Sequence, residues 1–148
     1  MKKILYIDMD NVLVDFQSGL DRVPDRVKRI HAGHPNDIPG IFAKMKPISG
    51  AVKAFHTLSE NFDTYILSSA PWKNSSAWSD KLEWVKDNLG ESAYERIILT
   101  HHKELLRGDF LINHRDKNGA SEFQGTLIAF DPKHSVWSEI VSWLKDEA

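Results

Sequence analysis

Five short apolar runs punctuate the chain: Ile4-Leu5-Tyr6-Ile7, Thr64-Tyr65-Ile66-Leu67, Arg96-Ile97-Ile98-Leu99, Phe110-Leu111-Ile112 and Thr126-Leu127-Ile128-Ala129-Phe130. Each is rich in β-branched or aromatic residues and lacks the in–out alternation of a strand with one wet face. Each therefore predicts a strand buried on both sides. Helical spacing fills the intervals. Ala51, Phe55, Leu58 and Phe62 follow Ser49, a good N-cap residue, at i, i+4, i+7 and i+11. Trp78, Leu82, Val85 and Leu89 repeat that spacing and stop at Gly90, and Val136, Ile140 and Leu144 stripe a last helix from about Ser135. Strands alternating with helices predict a central parallel sheet covered on both faces, a three-layer Rossmann-like α/β sandwich.

Residues 16–47 break the rhythm. They carry Pro24, Pro35, Pro39 and Pro47, a basic stretch from Arg22 to His34, and only scattered apolar positions. The helix after Ser49 already supplies the crossover, so this stretch reads as a small insertion folding over one edge of the sheet. No repeat or low-complexity segment is visible.

Composition narrows the function classes. A length of 148 residues suits one domain, and 41% hydrophobic with 27% charged residues is ordinary for a soluble protein. Nineteen basic against 21 acidic side chains give a net charge of -2, which implies no broad basic face for a nucleic-acid polymer. The absence of cysteine excludes disulfides, iron–sulfur clusters, thiolate zinc sites and cysteine nucleophiles. The first apolar run ends at Asp8, short of the ~7–15 apolar residues of an export signal, and no stretch reaches the ~20 residues of a membrane span. A cytoplasmic protein without membrane contact is the expectation.

The chemistry is sought beyond the carboxyl ends of the strands, where open parallel sheets bind ligands. The first strand is followed by Asp8-Met9-Asp10, the second by Ser68-Ser69-Ala70-Pro71, the third by Thr100-His101-His102-Lys103 and the fourth by Asn113-His114-Arg115-Asp116. With a period of two, Asp8 and Asp10 project to one side. Two carboxylates so close repel unless a cation lies between them, and a hard ion with oxygen ligands, magnesium above all, answers that need. A lysine and a hydroxyl in the same cleft suit a phosphate group. One aspartate can attack phosphorus while the other moves protons to and from the leaving oxygen and the water. Phosphoryl transfer follows.

The run Asp8-Met9-Asp10-Asn11-Val12-Leu13 after a hydrophobic strand resembles the first motif of the haloacid-dehalogenase superfamily of phosphatases, with Ser68 in the second motif and Lys103 in the third. More narrowly, the chain resembles the 5'(3')-deoxyribonucleotidase family. Asp8 to Phe16, Pro39-Gly40-Ile41-Phe42, Pro47 to Ala51, Leu67 to Pro71, Arg96 to Thr100, Gly108 to Ile112 and Asn118-Gly119 occur in order over nearly the whole chain. The resemblance implies Asp8 as nucleophile and magnesium ligand. It implies Asp10 as general acid/base, binding the metal through its backbone carbonyl, and Ser68, Ser69 and Lys103 as holders of the phosphoryl oxygens. The insertion becomes a small helical cap. Phe16, Ile41, Phe42 and Trp72 become the lining of a substrate pocket for a nucleoside monophosphate, and a homodimer is admissible.

One stretch departs from the family. Where it has adjacent aspartates, this chain has Asn113-His114, so Asn113 is the expected third metal ligand without a formal charge, and Asp116 and Asp109 are the acids near enough to compensate. The departure motivates an alternative, a weakened or inactive member that binds a nucleotide or a partner. A third reading, a receiver-like domain, fails because its acceptor aspartate follows the third strand, where this chain has Thr100-His101-His102. The remaining alternative, that Asp8 and Asp10 are only turn residues, leaves the ordered downstream set unexplained. His101 and His102 read as loop surface residues, and the five tryptophans, Trp72 excepted, as core.

Overall fold

The computed structural model describes all 148 residues. Seven strands follow one another: β1 (Ile4–Ile7), β2 (Val14–Asp15), β3 (Lys46–Pro47), β4 (Asp63–Ser68), β5 (Ile97–Leu99), β6 (Phe110–Asn113) and β7 (Thr126–Ala129). Five α-helices accompany them: α1 (Phe16–Leu20), α2 (Asp25–Ile30), α3 (Ala51–Asn61), α4 (Ser75–Leu89) and α5 (Trp137–Glu147). All five expected strands pair in parallel in the order β5-β4-β1-β6-β7, while β2 and β3 form a separate antiparallel ribbon. The order runs one way from β1 to β5 and the other way through β6 to β7. The crevice at that reversal opens beyond the carboxyl ends of β1 and β6.

Alternation along the strands sorts the core into two unequal parts. Leu5, Ile7, Ile66, Phe110 and Ile112 face α3, α4 and α5 in the main cluster, whereas Tyr6, Leu67 and Leu111 face the opposite side with Ala120 and Phe123. The three long helices all belong to the first face. The second is covered only by the segment between β5 and β7, with its short 3-10 turns Lys103–Leu105 and Ala120–Glu122. The expected third layer is therefore thin and built without an α-helix.

Helix α4 is rotated by about one residue from its expected stripe. Ala77, Lys81, Trp84, Val85 and Leu89 are its buried positions, while Leu82 is 37% exposed. The reason is the insertion. Residues 16–45 leave and return through the β2–β3 ribbon and send Val23, Ile38, Ile41, Phe42 and Met45 into the main core, and the Trp84 indole donates to the Met45 carbonyl at 2.9 Å. Close approach is possible because residue 19 is glycine: a Cβ there would lie 2.8 Å from Met45 Cγ and 3.1 Å from the Ile41 carbonyl oxygen. Trp137 is buried as expected, but Trp143, on the same helix, is half exposed. No helix is long and apolar enough to cross a membrane.

Helix α5 also holds the loop that follows β1. The Trp137 indole donates to the Val12 carbonyl at 2.9 Å, both residues being buried. Replacing Trp137 by Phe keeps the ring but deprives that carbonyl of its donor, and should lower unfolding stability by about 1–3 kcal/mol. Urea denaturation reads the change, and an unaltered midpoint would show that the bond contributes nothing.

Candidate active site

The site begins where β1 runs out. The Asp8 amide still donates to the Ile112 carbonyl at 3.0 Å, extending the pairing with β6 by one residue. The chain then turns sharply, the Met9 carbonyl accepting from the amides of Val12, Leu13 and Val14 at 3.1, 2.9 and 3.0 Å. Asn11 takes the left-handed conformation the turn requires (φ 59°), one that asparagine tolerates better than most residues. Its side-chain oxygen accepts from the Phe16 amide at 3.3 Å. Asp8 and Asp10 are thus fixed at the mouth of the sheet by backbone bonds on both sides.

Each acid has its own buried ammonium. Lys103 Nζ lies 3.1 Å from Asp8 Oδ2 and donates to Asn113 Oδ1 at 2.9 Å. Lys81 Nζ donates to Asp10 Oδ1 at 3.1 Å, to Ser68 Oγ at 2.9 Å and to the Ser69 carbonyl at 2.6 Å. Lys81 has no exposed surface, and its ammonium sits 4.5 Å from the centre of the Phe42 ring. The second oxygen of Asp8 accepts from the Met9 amide at 2.7 Å. Burial pushes the Asp10 carboxyl upward from the usual carboxylate range and the neighbouring Asp8 adds to this, against the pull of Lys81 and Lys103.

Above these pairs opens a small cleft of about 40 Å³, lined by Asp8, Asp10, Ser69, Lys103, His114, Arg115, Lys117 and Asn118. Asp8, Asp10, Ser69 and Lys103 therefore come together as expected. Ser68 lies beneath the cleft, its hydroxyl held by Lys81. Asn113 is 4% exposed and does not line the cleft: besides accepting from Lys103, its amide donates to the Arg115 carbonyl. Asp109 is at the other end of the sheet, where its Oδ2 accepts from the Ile4 amide at 2.8 Å, and Asp116 is exposed outside the cleft. Neither compensates for the lost charge.

Two grooves flank the cleft. Trp72, 83% exposed, lines one of about 410 Å³ with Pro71, Lys73 and residues 33–37, and this groove shares Arg115 and Lys117 with the cleft. Phe16 lines the other, of about 1080 Å³, with Asn11, Pro47, Phe130 and Lys133, and this one shares His114. Ile41 and Phe42, expected beside them, are core residues that line neither groove; Phe42 instead roofs Lys81. His101 is not a free surface residue: its Nε2 is 2.7 Å from the Ala70 carbonyl and its ring sits edge-on near Trp72 and Trp78.

Sequence reasoning missed Lys81, Arg115, Lys117 and Asn118. Lys81 left a signal, a lysine at the i+4 position from Ala77 and three before Trp84 on a buried stripe. The others lie in the loop after β6, whose fold rests on Asn118 at φ 55° followed by Gly119 at φ 81°. Through it the Asn118 carbonyl accepts from the Lys103 amide at 2.7 Å, and its side-chain amide donates to Ser69 Oγ at 3.1 Å. No sequence period reports such a loop.

The profile of the family described as "5' nucleotidase, deoxy (Pyrimidine), cytosolic type C protein" matches residues 17–145. The chain belongs to this family. A protein of Vibrio phage KVP40, named as an inferred 5'(3')-deoxyribonucleotidase, is 51% identical over 147 residues, covering 99% of this chain and 86% of its own length. The human 5'(3')-deoxyribonucleotidase, cytosolic type, is 32% identical over 139 residues, covering 74% of this chain and 69% of its own. In fold, a haloacid-dehalogenase-like family hydrolase from Xanthomonas campestris superimposes with a TM-score of 0.58 at 12% identity, over 99% of this chain and 97% of that one. One from Streptococcus pneumoniae gives 0.60 at 12% identity, over 97% and 98%. The parallel sheet of this type C nucleotidase family member is thus that of the haloacid-dehalogenase-like hydrolases.

The Lys81–Asp10 pair is testable on its own. Replacing Lys81 by Met removes the cation from a buried carboxylate and should lower stability by about 3 kcal/mol. The double variant with Asp10→Asn should regain most of that loss, because the stranded charge is gone. Strictly additive single effects in a denaturation cycle would deny the pairing.

Proposed function

We propose that the chain is a metal-dependent phosphatase that hydrolyses nucleoside monophosphates through a phospho-aspartate at Asp8. The observation that carries this reading is Lys103 Nζ 3.1 Å from the Asp8 carboxylate, in a cleft shared with Asp10, Ser69 and Asn118. The family and the names of its phage and human relatives support the substrate class.

The phosphate enters the cleft beside the Asp8–Lys103 pair, with the Lys103 ammonium, the Ser69 hydroxyl and the Asn118 amide as donors to its oxygens. An Asp8 oxygen attacks phosphorus, the ester bond to the nucleoside breaks, and Asp10, acting in the protonated form that its burial favours, gives that proton to the departing oxygen. Asp10 then takes a proton from a water, whose oxygen attacks the phosphorus of the acyl phosphate. Inorganic phosphate leaves and the Asp8 carboxylate is restored. Lys81 holds Asp10 in place from below and ties it to Ser68. A divalent cation, magnesium being the one such oxygen donors select, neutralises phosphoryl oxygens when bound; Asp8, the Asp10 carbonyl and the Asn113-His114 end of β6 would hold it.

Residues 16–47 act as the cap. The exposed Trp72 ring offers a stacking face to the base, with Arg115 and Lys117 between it and the phosphate; Phe16 borders the other groove.

The test is phosphate release from deoxynucleoside monophosphates compared with sugar phosphates, for the wild type and Asp8→Asn. Asp8→Asn should lose activity by on the order of 10³-fold or more while keeping its melting temperature. Full residual activity would remove the covalent mechanism. No release by the wild type from any nucleotide would favour the second reading that Asn113-His114 motivates, a member that binds nucleotides without hydrolysing them.

A further inference from the structure

The end of β6 has to be read atom by atom, because the family's paired acids are replaced there by Asn113-His114. We infer that His114, through Nε2, and not Asn113, is the side-chain ligand that β6 supplies to the cation, and that the site consequently takes a first-row transition ion, Mn²⁺ included, ahead of Mg²⁺. The inference rests on the phosphatase reading only for placing a cation in this cleft.

Three observations carry it. Asn113 is buried in the frame, its oxygen accepting from Lys103 at 2.9 Å and its amide donating to the Arg115 carbonyl, and it lines no part of the cleft. His114 does line the cleft, alongside Asp8 and Asp10. Its Nδ1 lies 3.1 Å from the Phe130 carbonyl oxygen, which can only accept, so Nδ1 donates there and Nε2 is the ring nitrogen left for a ligand. An imidazole anchored to a backbone carbonyl through one nitrogen, with the other left as a donor, is the usual orientation of a metal-binding histidine. One Asp10 oxygen, Oδ1, accepts from Lys81, and the Asp10 backbone carbonyl is the donor that the family resemblance implies for an ion. No three acid or imidazole side chains are arranged to hold a metal ion, so the donors counted here are two side chains and one carbonyl.

The donor set is then one carboxylate, one carbonyl and one neutral imidazole. Mg²⁺ demands oxygen and gives up its waters reluctantly, so exchanging an anionic oxygen for a nitrogen weakens it most. Mn²⁺ accepts the remaining oxygens and lies on the first-row series whose affinity for nitrogen exceeds that of Mg²⁺, and Zn²⁺ lies further along it.

Mn²⁺ itself is the probe, titrated into the full chain and followed by electron paramagnetic resonance. The wild type should bind Mn²⁺, show pulsed-resonance coupling to a directly bound ¹⁴N, and need at least a tenfold excess of Mg²⁺ for half-displacement. His114→Asp should lose the nitrogen coupling and bring the two ions closer by about tenfold or more, and His114→Gln should lose the coupling as well. Asn113→Ala should keep it. Absence of Mn²⁺ binding, bound Mn²⁺ without nitrogen coupling, or an Mn²⁺/Mg²⁺ ratio unchanged in His114→Asp would each overturn the assignment. Nitrogen coupling without phosphate release would sink the phosphatase reading and leave this one standing; release without coupling would do the reverse.

Discussion

Everything at the mouth of the sheet depends on keeping two carboxylates side by side where water is scarce. Asp8 and Asp10 are two residues apart at one strand end, and burial, with the charge of Asp8 adding to it, acts against the ionised form of Asp10. The chain answers with two buried ammonium groups, Lys103 on Asp8 and Lys81 on Asp10. Neither lysine would be tolerable there unpaired. The four charges cancel, and the Ser68 and Ser69 oxygens complete the set around Lys81 while Asn113 takes a second hydrogen of Lys103. Because the lysines come from α4 and from the turn after β5, the neutralisation also locks those elements to β1.

That constraint explains which parts of the molecule the sequence disclosed. Strands β1, β4 and β6 were legible because a strand buried on both faces reads as an unbroken apolar run; the edge strands β5 and β7 read the same way although β5 is half-buried and β7 largely exposed. Asp8, Asp10, Ser69 and Lys103 were legible because the topology sends every strand end to one edge. Helix α4 was legible as a helix but not in its facing, since a pattern that counts polar residues as outward turns Lys81 to solvent and Leu82 to the core. The structure does the opposite, because Lys81 is the counter-ion that Asp10 requires. Ile41 and Phe42 misled in the other direction. Apolar residues in an insertion look free to line a pocket, yet with glycine at position 19 the insertion packs tightly enough to put them in the core.

The loop after β6 marks the limit of what patterns convey. Asn118 and Gly119 in the left-handed region set its path, and the path alone places Arg115, Lys117 and Asn118 over the cleft. It also decides the roles of the residues that end the strand. Asn113 is the last residue of β6 and His114 the first of the bend that follows, and only His114 lines the cleft. Asn113 takes the inner position beside Lys103 and His114 the outer one beside Asp8.

The same division of roles links the departure from the family to the rest of the site. An acid at position 113 would add a buried negative charge to a set in which two lysines already balance two aspartates, whereas asparagine accepts the Lys103 hydrogen without unbalancing it. With a neutral imidazole at 114, no further carboxylate lines the cleft, and Arg115 and Lys117 stand at its rim. A cleft so composed carries excess positive charge, which draws a phosphate dianion but holds a bare dication less firmly than paired acids would. The ion that tolerates this environment is one that gains from nitrogen ligation what it loses in charge. The metal preference and the lysine pairing are thus two consequences of one charge balance, fixed where β1 and β6 end side by side.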